Sequence, residues 1–243
     1  MIKRLVLLSG LVLATGVQAV VDETPATVEA YRAQSRAALS ALVAAPRDDA
    51  PRALRDRAIL AVVQAPSEGV SEQTLESLAA YREEHPEDLY AKLYEGYGWL
   101  FTAGEYLKKQ NYFRAAELAK RGFFLMDEAV DQQPENWRLH LLRARLDLYV
   151  PAEFGRHVVA LKDLRYLEES QAQVPPALDG LVDFLQVRAF NAAGQDARAQ
   201  ALSRELARAP VWAELLRQPE ARLFLTREEI DHVLAPILGV NHE

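Results

Sequence analysis

The side chains that could do chemistry in this chain are five histidines and three pairs of adjacent glutamates. No two histidines are spaced three or four residues apart, and none forms the His-Glu-x-x-His pair of a helical zinc site. Adjacent glutamates on a helix point about 100° apart, so they do not face each other across a bond as the two carboxylates of a glycosidase do. We therefore expect no metal, no cofactor and no catalytic residue. The residues are His85, His140, His157, His232 and His242, and Glu83-Glu84, Glu168-Glu169 and Glu228-Glu229.

The sequence also lacks the motifs of other catalytic classes. It contains no Gly-x-Ser-x-Gly nucleophile elbow, no phosphate-binding glycine loop and no dinucleotide fingerprint, because Gly96-Tyr97-Gly98 falls inside a helical pattern rather than after a strand. The chain has no cysteine, so it has neither disulfides nor thiolate ligands. These observations argue against an enzyme.

Two groups of residues are candidates for binding. Aromatic side chains are concentrated between residues 90 and 124, where they form either a packed core or a recognition surface. Trp99 lies off the apolar stripes of its predicted helix, beside Lys92 and Glu95, so we expect it to be exposed. Arg138 and Arg145 form a polar strip on a later helix. The predicted partner contacts are Trp99, Arg138, Arg145, Tyr94 and Tyr97.

The elements that carry these residues are predicted to be helices. Alanine, leucine, arginine and glutamate dominate the composition, and no alternating run of strand length is present. Prolines break the sequence at intervals of 40 to 48 residues, at Pro46, Pro86, Pro134, Pro175 and Pro219. Asp88, Asn136 and the Thr226/Glu229 pair are predicted helix caps. The expected helices are 25–44, 51–64, 72–84, 89–103, 111–132, 137–149, 152–169, 177–193, 196–207 and 227–237.

The predicted helix 137–149 has apolar residues on two separate stripes. One stripe includes Leu139, Leu142 and Leu146, and the other includes Leu141 and Leu148. A surface helix has a single apolar stripe, so two stripes indicate neighbours on two sides. In the predicted helix 89–103, Gly96 and Gly98 weaken the helix, and we expect them to permit close approach of another helix.

The residues of these helices resemble the tetratricopeptide repeat family. Tyr90, Leu93 and Tyr97 stand where a first helix of that family keeps its tryptophan, leucine and tyrosine, and Pro134 with Asn136 resembles the turn that ends a repeat. Further matches are Ala189, Gly194 and Ala199, followed by Pro210. The resemblance implies an all-α fold, a right-handed superhelical array of antiparallel helical hairpins, and a non-catalytic binding scaffold.

The first nineteen residues have the pattern of a bacterial export signal. Lys3 and Arg4 precede an apolar run, and Val17-Gln18-Ala19 fits a cleavage site after Ala19. Without a cysteine the chain is not expected to be a lipoprotein. We expect a periplasmic protein, and its net charge of −7 argues against nucleic-acid binding. The predicted organisation is a signal peptide (1–19), N-terminal helices that form a cap or a divergent repeat (20–85), tetratricopeptide-like repeats (86–210), and short helices with a tail (211–243).

Three functions follow from this organisation. The first is an exported binding or assembly module that holds a protein or peptide partner on its helical surface. The second is a small-molecule-binding accessory component of a periplasmic solute uptake system, which requires a deep apolar cavity beside Tyr94 and Tyr97. The third is a glycan-cleaving enzyme, which requires a shielded carboxylate of raised pKa in a groove.

Overall fold

The computed structural model describes residues 27–46, 50–218 and 224–240, and this part of the chain is helical with no strand. The expected all-α class is therefore confirmed. The predicted signal peptide and the break at Pro219 lie outside the described residues. The helices are α1 (Val28–Ala44), α2 (Ala50–Glu68), α3 (Glu72–Glu84), α4 (Leu89–Lys108), α5 (Tyr112–Gln132), α6 (Trp137–Asp147), α7 (Arg156–Glu169), α8 (Asp179–Ala192), α9 (Asp196–Leu206) and α10 (Pro210–Leu216).

The chain beyond α10 is described again from residue 224, and we call residues 224–240 the C-terminal segment. It contains a helical stretch in which the π-helical turn Ile230–Leu234 lies between Arg227–Glu229 and Ala235–Ile237. Short 3-10 turns, Ala152–Phe154 and Pro176–Leu178, precede α7 and α8. Short helices were expected over residues 211–243, but α10 itself was not among the predicted helices.

The predicted caps are present. The Asp88 side chain accepts a hydrogen bond from the Ala91 backbone N–H at 2.9 Å, and Asn136 accepts one from Arg138 N–H at 3.2 Å. Thr226 and Glu229 form a complete capping box. These bonds satisfy backbone groups that the first turn of a helix leaves without partners.

Consecutive helices form hairpins. The helices α4 and α5, α6 and α7, and α8 and α9 pack in pairs, and α2 and α3 pack against α4. In the α4–α5 pair a Cβ placed on Gly96 would lie 2.7 Å from the Gly122 carbonyl oxygen and 2.9 Å from Met126 Cγ. The expected role of Gly96 is confirmed, because only a residue without a side chain lets the two backbones come this close.

The helix α6 is covered on both of its apolar stripes. Leu139 and Leu142 on one stripe and Leu141 and Leu148 on the other are buried. Helices α4, α5, α7 and α8 surround it. The expectation that this helix has neighbours on two sides is confirmed.

The first described helix packs against the end of the chain. Helix α1 contacts α10 and the C-terminal segment. The Val28 backbone N–H donates to Glu214 Oε2 at 3.1 Å, and the Tyr31 hydroxyl donates to the Glu228 carboxylate. The Tyr31 ring meets the Phe224 ring edge-on at 5.3 Å between centroids. Because α1 is held there, it stands at one side of the cavity described next.

Candidate functional site

A half-open cavity of about 880 Å³ lies among α1, α2, α4, α6 and the C-terminal segment. Its volume falls in the range of about 300–1,000 Å³ that is usual for small-molecule sites. Its wall includes Leu39 of α1, Val63 of α2, Phe101 of α4, Leu142 of α6 and Leu225 of the C-terminal segment. Most of the wall is therefore apolar, and it is built from helices that are far apart in sequence.

Two of the predicted contact residues, Tyr94 and Tyr97, form an aromatic part of this wall. Their ring centroids are 5.5 Å apart in an edge-to-face arrangement. The Tyr97 hydroxyl donates to the Leu142 carbonyl oxygen. Burial raises the pKa of both tyrosines well above the ordinary value of 10.0, so both remain neutral donors.

A third predicted contact residue, Arg145, also lines the cavity but is held by the chain itself. It forms an ion pair with Glu229, and its Nη2 donates to the Phe224 carbonyl oxygen at 3.2 Å. Both partners belong to the C-terminal segment. The positive charge of Arg145 is therefore compensated within the protein.

Arg138 lies on the same helix but binds another part of the C-terminal segment. Its Nε donates to the His232 carbonyl oxygen at 3.1 Å, and its guanidinium lies 4.5 Å from the centroid of the Trp137 ring. Arg138 is not part of the cavity wall. The strip of Arg138 and Arg145, expected from the sequence to contact a partner, is occupied by residues of the same chain.

The expectation that Trp99 is exposed is wrong. Its side chain is only 2% exposed, and its Nε1 donates to Glu95 Oε1 at 3.0 Å. The Arg121 guanidinium lies 4.0 Å from the centroid of its ring. Glu95 itself is buried and also accepts from Arg82 at 2.8 Å and from Arg121 at 2.9 Å. Trp99 is thus enclosed beside the buried Glu95 carboxylate and its two arginine partners, and it is separate from the residues that line the cavity.

The aromatic residues between 90 and 124 divide into two groups rather than forming one core or one surface. Tyr94, Tyr97 and Trp99 on α4 are buried, whereas Tyr112, Phe113 and Phe124 on α5 are exposed. Phe113 has the highest exposed fraction of the three, 86%. The packed-core interpretation therefore applies to Tyr94, Tyr97 and Trp99, and a recognition surface formed by the exposed side chains of α5 remains a prediction.

Two arginines of α1 that line the cavity were not among the residues predicted to bind a partner. Arg32 and Arg36 are spaced four apart, so they lie on one face of the helix. Neither forms an ion pair with a described residue. The spacing of the two arginines could be seen in the sequence. No feature of the neighbouring sequence indicated that this face of α1 would line a cavity formed with α2, α4 and α6.

A shielded carboxylate of raised pKa is present, but it lies outside the cavity. Burial raises the pKa of Asp147 to about 7, against the opposing effect of Arg156, which is bound to it at 2.8 Å. Asp147 is fully buried and is not part of the cavity wall. The position of Asp147 gives it no contact with a molecule in the cavity.

Within the described ranges, no group of three or more histidine, cysteine, aspartate or glutamate side chains is arranged to hold a metal ion. No helix in that part of the chain is long and apolar enough to cross a membrane. Comparison of the chain with protein-family models, with curated proteins and with solved structures gave no match.

Proposed function

We propose that this protein is an exported, non-catalytic binding protein that holds a small, largely apolar molecule in the cavity between α1, α2, α4 and α6. The observation that carries this proposal is the half-open volume of about 880 Å³ beside Tyr94 and Tyr97. Apolar walls with a few polar groups are typical of sites for small ligands. The Tyr94 side chain, which carries a hydroxyl, supplies one such group.

The fold we propose for this role is a tetratricopeptide-like, right-handed superhelical array of hairpins. The consecutive pairs α4–α5, α6–α7 and α8–α9, with α6 buried on two sides, support that arrangement. A stack of hairpins forms a concave surface. Here the C-terminal segment is bound to α6, α1 packs against that segment and α10, and both supply further walls of the cavity.

The proposed location is the periplasm, after cleavage behind Ala19, and the support for it is the export pattern of the first nineteen residues. In that compartment a soluble carrier of a small molecule fits the role of an accessory component of a solute uptake system. Cell fractionation tests the location. Recovery of the uncleaved protein in the cytoplasm would contradict it.

Binding of N-phenyl-1-naphthylamine, an uncharged dye that fluoresces in apolar sites, tests the cavity. We expect saturable binding at one dye per chain. Val63→Trp fills part of the cavity and should abolish binding, whereas Val158→Trp introduces the same side chain at an exposed position outside the cavity and should not. Circular dichroism and a urea melt check that both variants fold. Equal dye binding by the two folded variants rules out the cavity as the site.

A protein partner is the second candidate function, and the exposed aromatic residues of α5 favour it. Phe113 and Phe124 are eleven positions apart, which places them on one face of the helix. Exposed aromatic side chains on a common face are typical of interaction surfaces. A photo-crosslinking residue at position 113 should capture a specific protein in cells, and the same residue at position 54, an exposed site on α2, should not. Identical products from both positions would count against this function.

A further inference from the structure

We infer that the ligand is an amphiphilic anion whose acidic group is bound by Arg32 and Arg36 and whose apolar body lies against the aromatic and aliphatic wall. This inference rests on the proposed function, because it assigns a chemical class to the occupant of the same cavity. The acidic group is an oxyanion such as a carboxylate or sulfonate, since two guanidinium groups present several N–H donors to oxygen.

The guanidinium of Arg32 carries an N–H donor that no described residue satisfies. Its Nε is buried without a hydrogen-bond partner, and its guanidinium lies 5.3 Å from the centroid of the Phe224 ring. No carboxylate among the described residues pairs with Arg32. A buried N–H group without an acceptor is costly, and an oxyanion bound in the cavity would satisfy it.

The balance of charge along the cavity wall favours a negative ligand. The charged residues of the wall are Arg32, Arg36, Arg145 and the exposed Glu68. Glu229 compensates Arg145. Apart from the Arg145–Glu229 pair, the wall therefore carries two arginines and one glutamate, so its net charge is positive. Opposite charges attract more strongly beside a low-dielectric wall than in open water.

The sequence of α1 also indicates where along the helix the acidic and apolar parts of the ligand bind. Arg32, Arg36, Leu39 and Val43 line the cavity, and their spacings of four, three and four keep them on one helical face. The cationic pair occupies the half of this face nearer the start of α1, and the apolar pair occupies the other half. A molecule with an acidic head and an apolar body matches that gradient.

A pair of dyes that differ by one sulfonate tests the inference. The dye 8-anilino-1-naphthalenesulfonate has the ring system of N-phenyl-1-naphthylamine with an added sulfonate. We expect the wild-type protein to bind the sulfonate more tightly. Arg32→Gln/Arg36→Gln should weaken the binding of the sulfonate about 10- to 100-fold and change the affinity for the uncharged dye by less than about twofold. Arg165→Gln, at an exposed position on α7, is the matched control and should change neither.

Competition extends the test from dyes to simple amphiphiles. Dodecanoate should displace the sulfonate dye at lower concentration than dodecanol, and the double variant should remove that difference. Inorganic phosphate should not displace the dye, because it lacks an apolar body. Displacement by phosphate at the concentrations effective for dodecanoate would overturn the amphiphile assignment.

The outcomes separate this inference from the function on which it rests. If Val63→Trp abolishes binding of both dyes but the arginine variant binds the sulfonate as well as the wild type does, the cavity is a binding site and the anion assignment is wrong. If the arginine variant loses both dyes equally, the arginines support the fold and the assignment is again wrong. If Val63→Trp changes neither dye, the proposed function itself fails.

Discussion

Arg145 of α6 forms an ion pair with Glu229 of the C-terminal segment, and this pair joins the middle of the chain to its end. Glu229 is fully enclosed, and Arg145 is nearly so. The second oxygen of Glu229 accepts a hydrogen bond from the Thr226 backbone N–H at 2.9 Å, so one carboxylate both caps a helix and holds the segment against α6. The cavity wall at Phe224 and Leu225 depends on this attachment.

Glu229→Gln should lower the free energy of unfolding by about 3 kcal/mol, because it leaves the Arg145 charge buried without its partner. Glutamine can keep the capping box, so the loss reports the ion pair. Urea denaturation measures it. Arg145→Met should cost less in the Glu229→Gln background than in the wild type. Strictly additive effects of the two substitutions would show that the pair is not coupled.

Arg55 makes a second attachment of the C-terminal segment. Its guanidinium binds Asp88 through Nε at 2.9 Å and Nη2 at 3.1 Å, and its Nη1 donates to the Ile237 carbonyl oxygen at 2.8 Å. It thereby connects α2, the cap of α4 and the end of the chain.

Arg55→Lys should therefore destabilise the protein by about 3 kcal/mol despite keeping the charge, because lysine cannot form this bidentate pair and bind the carbonyl oxygen together. Arg57→Lys, at an exposed position on the same helix, is the control and should leave the urea midpoint unchanged. If Arg55→Lys unfolds at the same urea concentration as the wild type, a positive charge at position 55 is sufficient and the bidentate geometry is not required.

The raised pKa of Asp147 predicts how stability depends on pH. Burial, with smaller contributions from the nearby Asp127 and Asp163, raises this pKa from 3.8 to about 7 against the opposing effect of Arg156. Between pH 3.8 and 7 the folded protein holds a proton on Asp147 that the unfolded chain has lost. The contribution of Asp147 to stability is therefore fully present below pH 3.8 and is lost as the pH rises through 7.

Asp147→Asn should remove this pH dependence. Urea denaturation between pH 4 and 8 should show the stability of the wild type falling relative to that of the variant as the pH rises. Asp131→Asn, which changes an exposed carboxylate, controls for the loss of one negative charge. A constant difference between wild type and Asp147→Asn over this range would show that Asp147 does not titrate there.

Most of the helices and their caps could be predicted from the sequence because their signals are local, whereas α10 was not predicted. Proline at 86 and 134, the capping side chains of Asp88 and Asn136, and apolar spacing along each helix indicate boundaries without knowledge of the rest of the fold. The close approach at Gly96 was predictable for the same reason, since a glycine inside an apolar helix needs a packing explanation.

The burial of Trp99 could not be predicted in this way. Its neighbours Lys92 and Glu95 are charged, so the pattern of apolar residues predicts that this face of the helix is exposed. Both side chains are nevertheless buried, and Lys92 forms an ion pair with Glu128 at 3.3 Å. Ion pairs between helices make a polar face part of the interior, and one helix's sequence does not contain the partner. The docking of the C-terminal segment on Arg138 and Arg145 is likewise a long-range contact without a local signal.

The α4–α5 contact allows a comparison of two glycines on one helix. A Cβ on Gly96 would meet the Gly122 carbonyl oxygen at 2.7 Å, whereas a Cβ on Gly104 would have no atom within 4 Å. Gly96→Ala should therefore cost about 1–3 kcal/mol by forcing α4 and α5 apart. Gly104→Ala should stabilise the protein by up to about 1 kcal/mol, because alanine favours the helix. Urea denaturation of both variants measures the two effects, and a stabilising Gly96→Ala would be incompatible with the close approach of these helices.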